Sequence, residues 1–266
     1  MTVAQALAGA GIDAREARLL LAAASGFSQA SLLAHTEREL PAEVAARFLE
    51  AAARRRNGEP VAYILGRREF YGIELAVTPA VLIPRHETEL LVERALALAP
   101  ARVLDLGTGS GAVAIALRRA LPRARVVAVE ASAAALALAR RNAVKLGVEI
   151  DFRHGIWFEP VRGERFDVVV SNPPYVATGD PHLAQGDLRF EPREALVAGS
   201  DGLGAIRAIV REAPAYLSPG GWLLLEHGIG QAEPVRELMR AAGLEGVETW
   251  PDLAGIARVT GGRVQS

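Results

Sequence analysis

Val103-Leu104-Asp105-Leu106-Gly107-Thr108-Gly109-Ser110-Gly111 begins as an apolar strand and ends as a turn with a glycine at every second position. The strand is predicted over Arg102–Leu106 and a helix from the turn to Leu121. Glycines there permit positive φ and let the backbone approach a ligand closely. Glu130 follows Gly107 by 23 residues, at the tip of the next predicted strand. A carboxylate in that place can accept hydrogen bonds from both ribose hydroxyls of an adenosine.

Outward from the turn, strands and helices alternate. Strands are predicted over Arg125–Glu130, Val148–Arg153, Phe166–Ser171, Gly221–Glu226, Gly246–Trp250 and Ala257–Gly262, with helices over Ala133–Leu146 and Gln231–Ala242. Continuous apolar strands joined by helices imply a doubly wound, mostly parallel α/β sheet, here of seven strands. Only Pro251–Ile256 separates the last two, too few residues for a helical crossover, so one strand is expected to run antiparallel.

Before this pattern, Thr88–Ala99 reads as a helix and residues 1–58 as a small helical bundle (Ala14–Ser25, Ser28–His35, Pro41–Arg56). In residues 59–84, Pro60, Gly66, Gly72, Pro79 and Pro84 argue against any helix. Glu69–Tyr71 and Ile73–Val77 read as strands turning at Gly72. The expected division is a helical domain over 1–58, a β-hairpin linker over 59–84 and a catalytic domain over 85–266.

Composition narrows the chemistry. Among 266 residues, 30 are basic and 31 acidic, a net charge of −1 that argues against a general nucleic-acid coat or a polybasic membrane binder. There is no cysteine, so disulfides, thiolate nucleophiles and Cys-ligated zinc are excluded. The five histidines are dispersed, and no metal site is expected. Lys145 is the only lysine, a lone candidate for Schiff-base chemistry in a predicted surface helix. Asp13, Arg15, Glu16 and Arg18 interrupt the apolar N-terminal stretch, unlike a signal peptide, and a cytoplasmic protein is expected.

The strand Phe166–Ser171 runs into Asn172-Pro173-Pro174-Tyr175. Ligands of open α/β sheets sit beyond the carboxyl ends of the strands, so this loop shares an edge with the glycine turn. Asn172 offers a side-chain carbonyl, Pro173 a backbone carbonyl, and two prolines hold the backbone nearly rigid. Two acceptors suit a planar –NH2 group, whose delocalised lone pair makes it a poor nucleophile. By taking both N–H hydrogens they orient the nitrogen and raise its electron density, while Tyr175 offers a flat face for stacking.

Taken without Asp105, Gly107-x-Gly109-x-x-Ala112 also satisfies the fingerprint of a dinucleotide-binding oxidoreductase. With Asp105, Gly-x-Gly-x-Gly resembles the first motif of class I S-adenosylmethionine methyltransferases. Asn172–Tyr175 added to it looks like an N-directed enzyme acting on a planar amine. Glu69–Gly72, Thr78–Arg85, Asp180–Leu183, Asp187–Pro192 and Leu223–Gly228 resemble the peptide chain release factor glutamine methyltransferase family (PrmC/HemK), over residues 60 to 263. That resemblance implies N5-methylation of the glutamine in the Gly-Gly-Gln motif of class I release factors. The methyl donor would be S-adenosylmethionine and the product S-adenosylhomocysteine. It also implies that Gly107, Thr108, Gly109, Ser110, Gly111, Glu130, Trp157 and Asn172 bind the donor, and that Asn172, Pro173, Pro174 and Tyr175 hold the amide. A monomer without stable nucleic-acid binding is expected, with residues 1–58 contacting the substrate protein. The alternative is a DNA or RNA amine N-methyltransferase. One departure stands out: Gly155-Ile156 precedes Trp157 where family members often carry an acid.

Several groups are read mainly as structural. Asn57 and Asn142 are expected to serve the fold, as is His227, although it adjoins Glu226 at a strand end. Arg54-Arg55-Arg56 and Arg67-Arg68 read as a solvated face, or else as a contact for an acidic partner or for ribosomal RNA. Arg85 reads either as channel lining or as one side of an ion pair, and Asp105 as a support for the glycine turn.

Overall fold

In the computed structural model, which describes residues Met1–Ser266, the chain divides into two compact units. The first comprises Met1–Arg67 with His182–Phe190, and the second Arg68–Pro181 with Glu191–Ser266.

The first unit is helical: α1 (Val3–Ala8), α2 (Ala14–Ser25), α3 (Gln29–Ala34), α4 (Ala42–Arg56) and α5 (Val61–Leu65). Val3, Leu20, Leu21, Leu32 and Phe48 lie at its fully buried centre. Asp13 caps α2 by accepting from the Arg15 and Glu16 amides at 2.8 and 3.2 Å. The helix α5 corrects the expectation of a helix-free stretch after residue 58. Pro60 sits at its N-cap and Gly66, at φ 68°, closes it, so the two breakers frame one turn and a half rather than forbid it. The arginine triplet is not a free cationic face. Arg55 pairs with Glu16 and with Asp187, each at 2.8 Å, Arg54 with Glu59, and Arg56 donates to the Ala10 carbonyl at 2.6 Å. Asp187 belongs to a later segment of short 3-10 turns that returns to this unit, where Arg189 also donates to the Asn57 carbonyl at 2.9 Å.

The second unit opens with the hairpin β1 (Arg67–Phe70) and β2 (Ile73–Ala76). Tyr71 and Gly72, at φ 50° and 71°, form the two-residue turn whose twist matches the strands. Next come α6 (Glu89–Ala97), β3 (Arg102–Leu106), α7 (Ala112–Ala120), β4 (Arg125–Glu130), α8 (Ala133–Lys145), β5 (Asp151–His154) and β6 (Phe166–Ser171). The chain ends with α9 (Gly204–Glu212), β7 (Leu217–Glu226), α10 (Ala232–Ala241), β8 (Glu245–Pro251) and β9 (Ala257–Arg263). Seven strands form one sheet in the order β5-β4-β3-β6-β7-β9-β8. All neighbours are parallel except β9, which runs antiparallel to both β7 and β8. The central strands are buried on both faces because helices cover each side. Leu91, Val113 and Leu117 pack on one face, and Ile206, Ile209 and Val235 on the other. No helix is long and apolar enough to cross a membrane.

Two expectations shift. The third strand of the sheet starts at Asp151 rather than Val148, because Gly147, at φ 66°, and Val148 close α8, the latter through its amide to the Ala143 carbonyl at 3.0 Å. The strand β7 starts at Leu217, and the slip in its register against β6 falls at Ser218–Gly221. The helix α9 was not anticipated.

Register is what builds the site. Leu106 pairs with Val129 of β4 and with Ser171 of β6, and Ser171 pairs with Leu225 of β7. One residue further on, Gly107, Glu130, Asn172 and Glu226 therefore leave or end four adjacent strands side by side. The strand order reverses on either side of β3, the place where open α/β sheets bind ligands.

Candidate active site

A pocket in the second unit runs along this edge. Gly107, Thr108, Gly109, Ser110, Glu130, Trp157, Asn172 and Pro174 line it, together with Arg85, Thr88 and Asp105. Sequence reading named the first eight. Of the others it named, Gly111 is not in the lining. A Cβ there would stand 3.1 Å from Ile115 and 3.3 Å from Ala139, so this glycine lets α7 close on α8. Pro173 and Tyr175 are likewise not in the lining.

The glycine turn is held from below. Gly107 and Thr108 donate their amides to the Val129 carbonyl at 2.9 and 3.1 Å. Asp105 accepts from the Thr108 hydroxyl at 2.6 Å and from the Ala114 amide at 3.2 Å, supporting the turn as expected. Burial pushes the Asp105 carboxyl up to about 7, against both hydrogen bonds. The buried side chain of Asn142 holds the turn laterally. It donates to the Ser110 and Ala76 carbonyls at 2.9 and 3.0 Å and accepts from the Ala76 amide at 2.8 Å. Asn142 is structural, but it ties α8, β2 and the turn together.

The two Glu130 oxygens accept from the Gly109 and Ser132 amides, at 2.8 and 2.9 Å. Each oxygen keeps a second lone pair, so the carboxylate is fixed in place and can still receive two hydroxyl donors. Trp157 covers the turn from above, its ring edge 3.6 Å from where a Gly107 Cβ would stand. Its backbone takes φ 46°, a conformation that costs a non-glycine residue about 1–2 kcal/mol. Gly155 precedes it at φ 154°, and a Cβ there would come within 2.4 Å of Pro160. Only glycine fits at 155, whereas Ile156, directly before Trp157, is exposed and nothing in the structure explains why it is not acidic. Phe158 takes no part: it is buried and stacked on Tyr216 at 4.4 Å.

Beyond β6, the Ser171 hydroxyl donates to the Leu106 carbonyl at 2.7 Å and locks the two strand ends together. Asn172 Nδ2 donates to Thr88 Oγ1 at 3.1 Å, whereas Asn172 Oδ1 is buried and has no partner. Such an acceptor is costly to bury unpaired. Tyr175 donates its hydroxyl to Glu226 Oε1 at 3.3 Å, and its carbonyl accepts from Gln231 Nε2 at 3.0 Å. Burial and the Glu226 charge push the Tyr175 phenol above its ordinary range, so it stays a neutral donor.

Glu226 and Thr88 are what sequence reading missed. Both are buried, and burial pushes the Glu226 carboxyl up to about 7. The only available signal was an acid closing an apolar strand, Leu223-Leu224-Leu225-Glu226. Its neighbour His227 is structural as expected, with Nε2 2.9 Å from Thr260 Oγ1. Arg85 both lines the pocket and forms an ion pair with Glu191, one nitrogen, Nη2, donating to both carboxylate oxygens at 2.7 and 2.8 Å.

Two buried acids with raised pKa give stability a definite pH dependence. Both Glu226 and Asp105 rise to about 7 in the folded chain, from 4.5 and 3.8. The folded chain thus keeps protons that the unfolded chain releases. Their contribution is full below about pH 4 and is lost as pH rises through about 7. The melting temperature of the protein alone is expected to carry a downward component between about pH 4 and 7, and Glu226→Gln to remove part of it. Identical slopes for both proteins in a thermal melt series would contradict the assignment.

Comparison with known proteins agrees with this architecture. A family model described as PrmC N-terminal domain matches residues 2–66, and one described as Methyltransferase small domain matches residues 86–188. The release factor glutamine methyltransferase of Burkholderia pseudomallei is 52% identical, with 99% of this chain and 96% of that protein covered. The protein of the same name from Pseudomonas aeruginosa is 52% identical, over 93% of this chain and 91% of its own. A methyltransferase structure from Pyrococcus furiosus superposes with a TM-score of 0.58 at 18% identity, covering 82% of this chain and 99% of that one, which shows the shared fold.

Proposed function

The chain belongs to the release factor glutamine methyltransferase family, and from that membership we propose that Asn172–Tyr175 hold a glutamine side-chain amide for methylation on its nitrogen. S-adenosylmethionine is the methyl donor of this family, and the residues present fit it. Gly109, at φ 57°, has open space where a Cβ would stand. Glu130 keeps two lone pairs for a ribose diol, and Trp157, Val129 and Ile156 supply apolar lining for an adenine. The assignments of Gly107–Ser110, Glu130 and Trp157 to the donor, and of Asn172–Tyr175 to the amide, are part of this proposal.

The observation that carries it is Asn172 Oδ1, a buried acceptor with no protein donor, at the strand edge beside the glycine turn. Asn172 Oδ1 accepts one amide N–H of the substrate. The Pro173 carbonyl, fixed by the two proline rings, accepts the other. With both hydrogens held, the nitrogen lone pair is directed at one point, and its electron density rises. Orientation of this kind supplies at most about 7–11 kcal/mol of a barrier. When bound, the donor supplies an electrophilic methyl: the N–C bond forms as C–S breaks, and sulfur keeps the bonding pair. Once the nitrogen has become cationic its proton is strongly acidic and is released to water, while Asn172 and Pro173 only accept its hydrogen bonds, so no strong base is needed beforehand.

The substrate proposed is the glutamine of the Gly-Gly-Gln motif in class I release factors, acted on in the cytoplasm by a monomer that forms no stable nucleic-acid complex. Methyl-labelled donor incubated with such a release factor and with bulk nucleic acid in one mixture tests this. The label is expected in the protein fraction; label in the nucleic acid would point to the amine methyltransferases of DNA or RNA instead.

A further inference from the structure

Arg85 is the single cation among the residues that line the pocket, and the chemistry just described gives it no part. We propose that Arg85 binds the substrate backbone, with its Nε and Nη1 hydrogens donating to peptide carbonyl oxygens of the segment that leads into the methylated glutamine. This assignment rests on the functional reading above.

The guanidinium is held at one nitrogen only. The Glu191 side chain is fully buried, and both of its oxygens accept from Arg85 Nη2, at 2.7 and 2.8 Å. An arginine that serves a carboxylate alone commonly presents two nitrogens in a parallel fork. Here Nη2 commits both of its hydrogens, and Nε and Nη1 keep theirs. No protein acceptor meets either of those nitrogens, and the side chain is partly exposed. The backbone that carries it is fixed on both sides. The Pro84 carbonyl accepts from Arg68 Nε at 3.3 Å, and the Arg85 carbonyl accepts from the Thr88 amide at 3.2 Å. The free donors are therefore set in place before a ligand arrives, which lowers the entropy lost on binding.

Stereochemistry decides what those donors take. Both paired edges of a guanidinium include Nη2, since Cδ blocks the edge between Nε and Nη1. With Nη2 engaged, no edge remains on which two parallel N–H groups could grip a second carboxylate. The charge is also matched already by Glu191, so an incoming anion would meet no uncompensated cation. Single neutral acceptors suit Nε and Nη1 separately, and peptide carbonyls are of that kind.

The substrate asks for the same contact. In Gly-Gly-Gln the residues before the glutamine have no side chains, so only their amides and carbonyls can be recognised. Leu82 and Pro84, close to Arg85 in the chain, and Pro192, next to Glu191, bring no side-chain donor to the lining. Arg85 supplies it, as a charge-assisted hydrogen bond. The amide oxygen of the glutamine itself is not its target. A cationic donor there would draw electron density away from the nitrogen that must attack.

The test uses full-length Arg85→Lys, whose one ammonium stays beside Glu191 but has no counterpart of Nε and Nη1. Calorimetry measures the Kd for S-adenosylhomocysteine. It then measures the Kd for a Gly-Gly-Gln-bearing release factor on protein saturated with S-adenosylhomocysteine. The release-factor Kd is expected to rise about 10–100-fold, the scale of one or two charge-assisted hydrogen bonds. The S-adenosylhomocysteine Kd is expected to stay within about threefold of wild type. An unchanged release-factor Kd would reduce Arg85 to a structural ion pair and overturn the proposal. A larger rise in the S-adenosylhomocysteine Kd would place Arg85 on the carboxylate of the donor and overturn it as well. If Arg85→Lys does not fold, Arg85→Gln combined with Glu191→Gln carries the same two measurements, because it removes both charges and leaves neither buried alone. Wild-type protein with no affinity for the release factor would instead defeat the functional reading itself.

Discussion

Asn172→Ala is expected to lower kcat for glutamine methylation by about 10²–10³-fold, the usual cost of removing one preorganised polar group from a transition state. The substitution deletes Oδ1, the acceptor proposed to orient the substrate nitrogen, and Nδ2, which engages Thr88 at 3.1 Å. The rest of the pocket is untouched. Gly107–Ser110 remain tied to Val129 and Asp105, and Glu130 remains on Gly109 and Ser132. Donor affinity should therefore weaken by no more than about tenfold, or 1.4 kcal/mol. Single-turnover rates at saturating donor, together with calorimetric titration, separate the two quantities. A fall confined to affinity would make Asn172 a donor-binding residue and leave the amide without its acceptor.

Glu130→Ala is expected to produce the opposite split. Two charge-assisted hydrogen bonds to a ribose diol contribute about 1.5 kcal/mol each at the low end, so their loss corresponds to roughly a 100-fold rise in donor Kd. The same change strips the Gly109 and Ser132 amides of their acceptor and loosens the turn. At saturating donor, kcat should change far less than Kd, because Asn172 and Pro173 are proposed to act on the other reactant. Glu130→Gln should fall between, since one carboxylate oxygen is exchanged for an amide nitrogen that cannot accept. Calorimetry showing wild-type donor affinity for Glu130→Ala would restrict this residue to holding the loop.

These two residues were legible because their positions are set by local pattern. Buried parallel strands are continuous apolar runs, so Arg102–Leu106, Arg125–Glu130 and Phe166–Ser171 could be delimited to the residue, and whatever follows them lies at the ligand-binding edge. Glycine spacing and the paired prolines then marked two of the loops. The boundaries that failed are those where turn chemistry sits inside an element. Pro219-Gly220-Gly221 masks the start of β7, and Pro60 with Gly66 masks α5, although both framed structure rather than ending it. The helix α9, with Ile206, Ile209 and Val210 on one buried face, was missed in a stretch without other motifs.

Contacts between residues distant in sequence left no pattern to read. Asn142 looked like an ordinary helical residue, yet it bonds to Ala76 and Ser110 through every polar atom of its side chain. Thr88 looked like the start of a helix and Glu226 like the end of a strand. Their meeting with Asn172 and Tyr175 depends on the register of β6 against β7, which no single stretch encodes. The arginine triplet shows the converse: a cationic run that suggested a partner outside is satisfied largely by Glu16, Glu59 and Asp187.

The most direct test is site-localised mass spectrometry of a Gly-Gly-Gln-bearing release factor after incubation with the donor and either wild-type protein or Asn172→Ala. One added methyl on that glutamine with wild type, and almost none with Asn172→Ala, is the predicted result. An unmodified glutamine with wild-type protein, or an equally methylated one with Asn172→Ala, would contradict it.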